Sequence, residues 1–481
     1  MNSPGCGWSV SEDLPTSRIR RAVPTAGLLI RTAGGRALAD FRERAGRAGA
    51  IDRFHDRNAD RYVDVFGRSK GLLMKVAQMV SMLDVADVGG HEFVAYHRKL
   101  ARLHTEAPSM PLNQVLAVVQ SDLGRPVEQV FADFSDVPLA TASIGQVHRA
   151  TLTDGRAVVV KIQYPGVAEA IRADLANGEL MLTFGKMAQA GAGIRFPDTR
   201  KMAAEVSARI AEELDYRQEA ANIDEFHRLY ADHPFIRVPQ LIPHASGERV
   251  LSMTYLDGMD WATARQAAPE LKNTWAEAIF RFLTGSYRHG AIYHADPHPW
   301  NCRFGADGTV GFVDFGCVRR LTETQRGLIV AVGRCALQGQ DVALRRLMVD
   351  GGFLTADSTY GADAVLGYWQ RMFHELLVAQ PVTYTADSFD RTVRTVIDVR
   401  APEHPLRHLV IPDEFVMMSR IELSQAVIYS GLDATFHARA ALDDMDGVIE
   451  PCTPLGHQHH AWRRRRNLPH GLDRHRASEA L

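Results

Sequence analysis

Asp296, Asn301 and Asp314 are the residues from which chemistry can first be argued. They stand in Tyr293-His294-Ala295-Asp296-Pro297-His298-Pro299-Trp300-Asn301 and in Val313-Asp314-Phe315-Gly316, with Asn301 five and Asp314 eighteen residues beyond Asp296. A carboxylate, a side-chain amide and a second carboxylate at this spacing suit one proton-accepting base and two magnesium ligands set around a nucleotide. Such a site requires a phosphate lid upstream, a lysine for the phosphates and a carboxylate to hold that lysine.

The elements that would supply these parts are legible in order. Pro138 to Ala150 combines small residues with a strand, Asp154-Gly155 reads as a hairpin turn, and Ala157-Val158-Val159-Val160-Lys161-Ile162 is a β-branched strand carrying a lysine. Laid on the phosphate-loop pattern G-x-G-x-x-G-x-V, the chain offers Ala140, Ala142, Gly145 and Val147, with Ser143 between them. Alanine lacks the freedom of glycine at positive φ, so this lid should be stiffer and should cradle a nucleotide differently. Lys201 to Phe226 is helical in pattern and bears Glu213, Asp215, Glu219 and Asn222, of which Glu219 is the candidate partner of Lys161. On a single surface helix each of these acids would simply be solvated, and only the combination with Lys161, Asp296 and Asp314 selects them.

Around this centre, Tyr62 to Leu83 has apolar residues at steps of three and four, with Lys75 and Gln78 on neighbouring surface of the same helix. Leu112 to Leu123 reads as a helix ending near Gly124, Val250 to Met253 as a strand, and Leu271 to Tyr287 as a core helix. Thr322-Glu323-Thr324-Gln325 looks like a helix start only a few residues after Gly316, leaving no room for the long activation segment of a peptide kinase. The pattern stays helical to about Asp444. Beyond Pro451 the chain carries His457, His459, His460 and Arg463 to Arg466 without apolar periodicity, which predicts a disordered tail.

With 481 residues, two or three packed units are expected, and 46% hydrophobic residues suffice to fill them. Lys plus Arg (55) against Asp plus Glu (57) gives a net charge of −2 and no whole-protein argument for nucleic acid. Five scattered cysteines suggest reduced thiols rather than a disulfide framework, and Cys302 and Cys317 read as small packing residues. Met1 to Pro15 has no apolar run of a secretory signal, and no stretch reaches the roughly 18 apolar residues of a membrane span. The expectation is a cytoplasmic protein, with peripheral membrane contact through the arginine-rich arm as the sharper alternative.

Together these motifs resemble the UbiB/AarF family of atypical kinase-like proteins, whose eukaryotic members support ubiquinone biosynthesis. Its Lys-x-Gly-Gln motif is matched by Lys75-Val76-Ala77-Gln78, its alanine-rich loop by Ala140 to Ser143, its Glu-x-Asp motif by Glu213-Leu214-Asp215, and its His-Ala-Asp-Pro-His-Pro-Gly-Asn motif by His294 to Asn301. Ala77, Thr141 and Trp300 depart from the pattern, the last placing a large side chain where the family prefers Gly. The resemblance spans about Gly67 to Val318 and extends more loosely to Asp444. It implies an α+β, bilobal protein-kinase-like fold with an N-terminal helical extension and a helical insertion in the N-lobe. The units would be an arm at 1–50, the extension at 51–135, the N-lobe at 136–258, the helical C-lobe at 259–445 and the tail at 446–481.

The resemblance also implies ATP and Mg2+ as cofactors. Asp296 would be the catalytic base, Asn301 and Asp314 the metal ligands, and Ala140, Ala142, Ser143, Gly145, Val147, Lys161 and Glu219 the nucleotide contacts. Lys75 and Gln78 would fold over the cleft toward Glu213 and Asp215, disfavouring a protein substrate and favouring ATP hydrolysis or a small-molecule or isoprenoid lipid acceptor. A nucleotide-sensing scaffold for a lipid-pathway complex is the alternative of a different class. An aminoglycoside-type small-molecule kinase shares the acidic spacing but leaves Lys75-Val76-Ala77-Gln78 and Pro138 to Ala150 unexplained.

Overall fold

The structure is a computed structural model that describes residues 42–43, 109–141, 144–169, 214–397, 408–412, 415 and 417–474. The helix expected around Lys75 and most of the expected N-lobe insertion lie outside these residues. The chain divides into two compact units, one of Met1–Val127, Phe134–Arg149 and Lys161–Leu214, the other of Glu128–Asp133, Ala150–Val160 and Asp215–Leu481. Among the described residues no helix is long and apolar enough to cross a membrane.

In the first unit, helix α1 (Leu112–Leu123) follows Pro111 and ends where Gly124 turns left-handed, φ 69°, its N–H returning to the Gln120 carbonyl. Strand β1 (Phe131–Phe134), assigned to the second unit except for Phe134, comes next, and β2 (Ala140–Thr141) then folds back antiparallel on β3 (Gly145–Leu152), with Ala140 opposite Val147 and residues 150–152 assigned to the second unit. Strand β4 (Ala157–Gln163) follows the Asp154-Gly155 turn, in which Gly155 takes φ 89°. Fully buried Gln146 accepts from the Met110 N–H (2.7 Å), and its amide meets His148 Nε2 (2.7 Å). His148 Nδ1 in turn donates to the Ser135 carbonyl (2.8 Å), so the start of α1 is tied to β3 through two buried side chains.

The second unit carries most of the core. Helix α2 (Tyr216–Leu229) is capped by Asp215, which accepts from the Arg217 and Gln218 N–H groups, and it has Glu219 in its first turn. After β5 (Ile236–Arg237) and β6 (Val250–Thr254), the long helix α3 (Pro269–Gly290) begins with Pro at its first position and is buried from Trp275 to His289. The sheet with β6 at its edge runs in the order β1-β3-β4-β6, β2 pairing β3. Short strands β7 (Ile292–His294), β8 (Cys302–Phe304), β9 (Val310–Phe312) and β10 (Val318–Arg320) follow α3. Helix α4 (Glu323–Leu337) starts with the expected capping box, Thr322 and Gln325 bonding reciprocally. Helices α5 (Asp341–Asp350) and α6 (Ala362–Met372) pack with α4 around Leu344, Met348 and Val365. Helices α7 (Ala386–Ile397), α8 (Met418–Gly431) and α9 (Ala438–Met445) complete the helical part, interrupted by the strand pair Val382–Thr383 and Thr435–Phe436.

The expected disordered tail is corrected by the structure. Pro454–Arg465 forms helix α10, with Thr453 as N-cap and Leu455, His459 and Trp462 buried. His459 is the middle link of a chain of three buried histidines. The Ile236 N–H donates to His233 Nδ1 (3.0 Å), so His233 Nε2 must donate to His459 Nδ1 (3.0 Å). His459 Nε2 then donates to His289 Nε2 (2.9 Å), and His289 Nδ1 donates to the Pro469 carbonyl (2.8 Å). Every ring nitrogen has a partner, His233 Nδ1 also accepting from the Phe235 N–H (3.4 Å), and this assignment leaves each imidazole neutral.

Burial holds His233 and His459 well below their usual range and lowers His289 to about 3. Arg237, Arg281, Arg288, Arg463 and His470 face the chain and push in the same direction. Below pH 6.5 the unfolded chain takes up protons that the folded one refuses, so stability is full above that pH and falls as pH drops toward the folded values. Urea unfolding at pH 7.5, 6.0 and 5.0 should show a loss of up to about 1.4 kcal/mol per pH unit for each histidine. A flat profile between pH 7.5 and 5.0 would refute the neutral chain.

Candidate active site

Two short strand pairings in the second unit hold the stretches that carry Asp296, Asn301 and Asp314. β7 runs antiparallel to β10 with His294 opposite Val318, and the Ala295 N–H donates to the Cys317 carbonyl (2.9 Å). β8 pairs with β9, Cys302 opposite Phe312, and the Val313 N–H donates to the Asn301 carbonyl (3.0 Å). Asp296 therefore lies just past β7, Asn301 just before β8 and Asp314 just past β9. All three are half-buried, neither sealed in the core nor dispersed on the surface.

His294 cross-ties the loop. Its Nδ1 accepts from the Asp296 N–H (3.3 Å), which leaves Nε2 to donate to the Asp314 carbonyl (2.5 Å). The Asp314 carboxylate accepts from the Gly316 N–H (3.0 Å), tightening the Asp-Phe-Gly turn. A Cβ built on Gly316 would lie 3.3 Å from Asp314 Oδ1 and 3.9 Å from Glu219 Oε2, so both carboxylates line this turn. Phe315 is fully buried against Phe226 (5.1 Å) and His294 (5.4 Å).

Asn222, which sequence reasoning left without a role, reaches the Asp-Phe-Gly turn. Its amide donates to the Phe315 carbonyl (2.8 Å), while its oxygen accepts from Gln218 Nε2 (3.0 Å) and Arg320 (3.1 Å). It lies three residues from Glu219 on α2, so one helix face presents both residues to the Asp-Phe-Gly turn. Its target is a main-chain oxygen 93 residues away, which no side-chain pattern announces.

Other expected site residues fall as follows. Lys161 is half-buried on β4 in the first unit, on the same face as Val159, and the fully buried face is that of Val158, Val160 and Ile162. Ala140 is exposed on β2 and Val147 half-buried opposite it. Gly145 is a glycine for a packing reason, since a Cβ there would stand 2.1 Å from the Ile162 carbonyl oxygen. Asp215 is exposed and serves as the N-cap of α2. Lys75, Gln78, Ala142, Ser143 and Glu213 lie outside the described residues. Cys302 is buried and its thiol is pushed up to about 12, which suits a packing residue.

Trp300 sits in the tight turn Pro299–Asn301 and is 48% exposed, its ring outside the core. The described non-glycine residues with positive φ are Asp232, Ala291, Asp433 and Asn467, so the backbone at Trp300 demands no glycine.

The donor set fits magnesium. A carboxylate and an amide oxygen on adjoining elements are the hard ligands that Mg2+ accepts, the remainder coming from phosphates and water. Among the described residues no group of three or more His, Cys, Asp or Glu could by itself hold a metal ion.

Residues 102–343 match the family model described as the ABC1 atypical kinase-like domain. The chain is 29% identical over 356 residues to the mitochondrial atypical kinase COQ8B of Rattus norvegicus, covering 72% of this chain and 65% of that protein. It is 32% identical over 269 residues to the mitochondrial atypical kinase COQ8 of Saccharomyces cerevisiae, covering 56% and 52%. The chain thus spans between half and two thirds of the length of these relatives. Among solved structures, a Mycobacterium tuberculosis protein, Rv3197, in complex with erythromycin, is similar at a TM-score of 0.58 and 28% identity, over 80% of this chain and 95% of that one.

Proposed function

The chain belongs to the ABC1 atypical kinase-like family, the UbiB/AarF group, and from that premise we propose that it binds ATP with magnesium and hydrolyses it or transfers its γ-phosphoryl group to a small-molecule or isoprenoid lipid acceptor. The observation that carries this reading is the His294 tie between the Asp296 N–H and the Asp314 carbonyl, with Asn301 bonded to Val313 beside it. These bonds fix the main chain that carries the assigned base and the two assigned oxygen ligands, and positioning is most of what phosphoryl transfer asks of a protein.

Asp296 takes the proton of the attacking hydroxyl or water. Asn301 and Asp314 hold the magnesium, which when bound neutralises charge on the phosphates. Lys161 is assigned to the α and β phosphates, with Glu219 as its carboxylate partner, and Ala140, Ala142, Ser143, Gly145 and Val147 to the lid. Quinone or isoprenoid lipid metabolism is the process that the family resemblance suggests, and peripheral membrane contact is part of the proposal. Only Cys317 to Leu321 separates the Asp-Phe-Gly turn from the Thr322 cap of α4, which supports a small acceptor over a peptide.

A nucleotide-sensing scaffold is favoured by one feature, the bulky Trp300 next to Asn301. Turnover separates the two readings. Asp296→Asn should lower magnesium-dependent phosphate release by about 100-fold or more while nucleotide affinity stays within a few-fold of wild type. Phosphate release, measured with and without liposomes or a phenolic quinone precursor, that is equal in wild type and Asp296→Asn would exclude Asp296 as the base and favour the scaffold.

A further inference from the structure

The far end of α2 is gripped by the C-terminal segment. Trp462, fully buried, stacks parallel on Tyr230 (centroids 5.6 Å, planes 1° apart), and its Nε1 donates to the Ala231 carbonyl (2.9 Å). The Arg466 guanidinium donates to the Arg228 carbonyl (2.6 Å) and to that of Ala231 (3.4 Å), so a cation caps the negative end of the α2 dipole. His459 joins His233, just after α2, to His289 at the end of α3. Tyr230 itself bonds Ser286 (2.9 Å) and the Phe282 carbonyl (3.2 Å) on α3.

The near end of α2 carries Glu219 and Asn222, and the middle carries Phe226 under Phe315. Eleven residues of helix, about 16 Å, separate Glu219 from Tyr230. A rigid helix held at one end transmits a change of seating to the other. We propose that residues 453–473 form a positioning strut for α2, whose seating through Trp462, Arg466 and His459 sets where Glu219 and Asn222 stand at the Asp-Phe-Gly turn. Trp462 and Arg466 are positioning residues in this scheme, since they act on the site only through the helix. The consequence for nucleotide binding rests on the function proposed above.

The test uses the full chain with Trp462→Ala and Arg466→Ala, and with Trp462→Phe and Arg466→Lys as conservative partners. Arg466 is exposed, so its substitution leaves the core intact. Amide hydrogen exchange should rise about ten-fold or more across 216–229 and 314–318 in the alanine variants while 341–350 is unchanged, and the conservative variants should restore protection. Mg·ADP affinity should weaken about five-fold or more in parallel. Unchanged exchange in 216–229, an equal rise in every segment, or a confined rise with unaltered Mg·ADP affinity would each overturn the strut. If wild type binds no Mg·ADP, the proposed function falls, and the exchange pattern alone then decides whether the segment positions α2.

Discussion

Asp314→Asn is expected to remove magnesium-dependent nucleotide binding, weakening Mg·ADP by more than about 100-fold, since altering residues merely behind a metal ligand costs about 10–100-fold. The substitution keeps the size and one side-chain oxygen but deletes the charge. Gly316 N–H, 3.0 Å from Asp314 Oδ1, can still be satisfied by that oxygen, so the turn should persist. The His294 tie uses the Asp314 main-chain carbonyl and is likewise untouched. Titration calorimetry with and without EDTA separates the outcomes: affinity equal to wild type would remove Asp314 from the metal site, and unfolding of the variant would show in its circular dichroism.

Arg281→Met should be the most destabilising substitution outside that site, by about 3–5 kcal/mol. Arg281 is fully buried on α3 and makes a two-pronged pair with Asp444 of α9 (2.8 and 2.7 Å) and a third bond to Glu277 (2.9 Å). Glu277 also accepts from the Thr453 hydroxyl (2.5 Å), the N-cap of α10. Methionine fills the space but strands two carboxylates in the core, and it is the stranded charge rather than the lost attraction that carries the cost. Urea unfolding reads the change, and Arg281→Met combined with Asp444→Leu should recover part of it. A single-variant loss below about 1 kcal/mol would mean that the pair contributes little.

The stretch proposed for the site was legible because its elements are local in sequence. Asp296, Asn301 and Asp314 each stand one or two residues from the end of a short strand, β7, β8 and β9 in turn, so their linear spacing reads out as a run of strand ends. The start of α4 was equally plain, as Thr322 and Gln325 complete their box within four residues. The motifs also carried the kinase-like α+β fold, which the family match and the similar Mycobacterium tuberculosis structure share.

Other features were hidden for physical reasons. Helix α10 presents Leu455, His459 and Trp462 inward at steps of four and three, but histidine does not count as apolar until its partners are known. Those partners lie 226 and 170 residues away, at His233 and His289. The Thr453-Pro454 pair, an N-cap followed by proline, was the one local sign that a helix begins there. Gly145 was read as part of a phosphate loop, whereas the requirement for glycine comes from a carbonyl on the neighbouring strand. Asn222 could be placed on α2 from periodicity, but its tie to Phe315 depends on how the Asp-Phe-Gly turn packs.

Thermal unfolding of the wild-type chain with ADP, magnesium, both or neither tests the central claim most directly. Binding to the folded state should raise the midpoint only when both are present, a stabilisation of about 2.7 kcal/mol at 100 times the dissociation constant. An unchanged midpoint at millimolar Mg·ADP, or an equal rise with ADP in EDTA, would contradict a magnesium-nucleotide site at Asp296, Asn301 and Asp314.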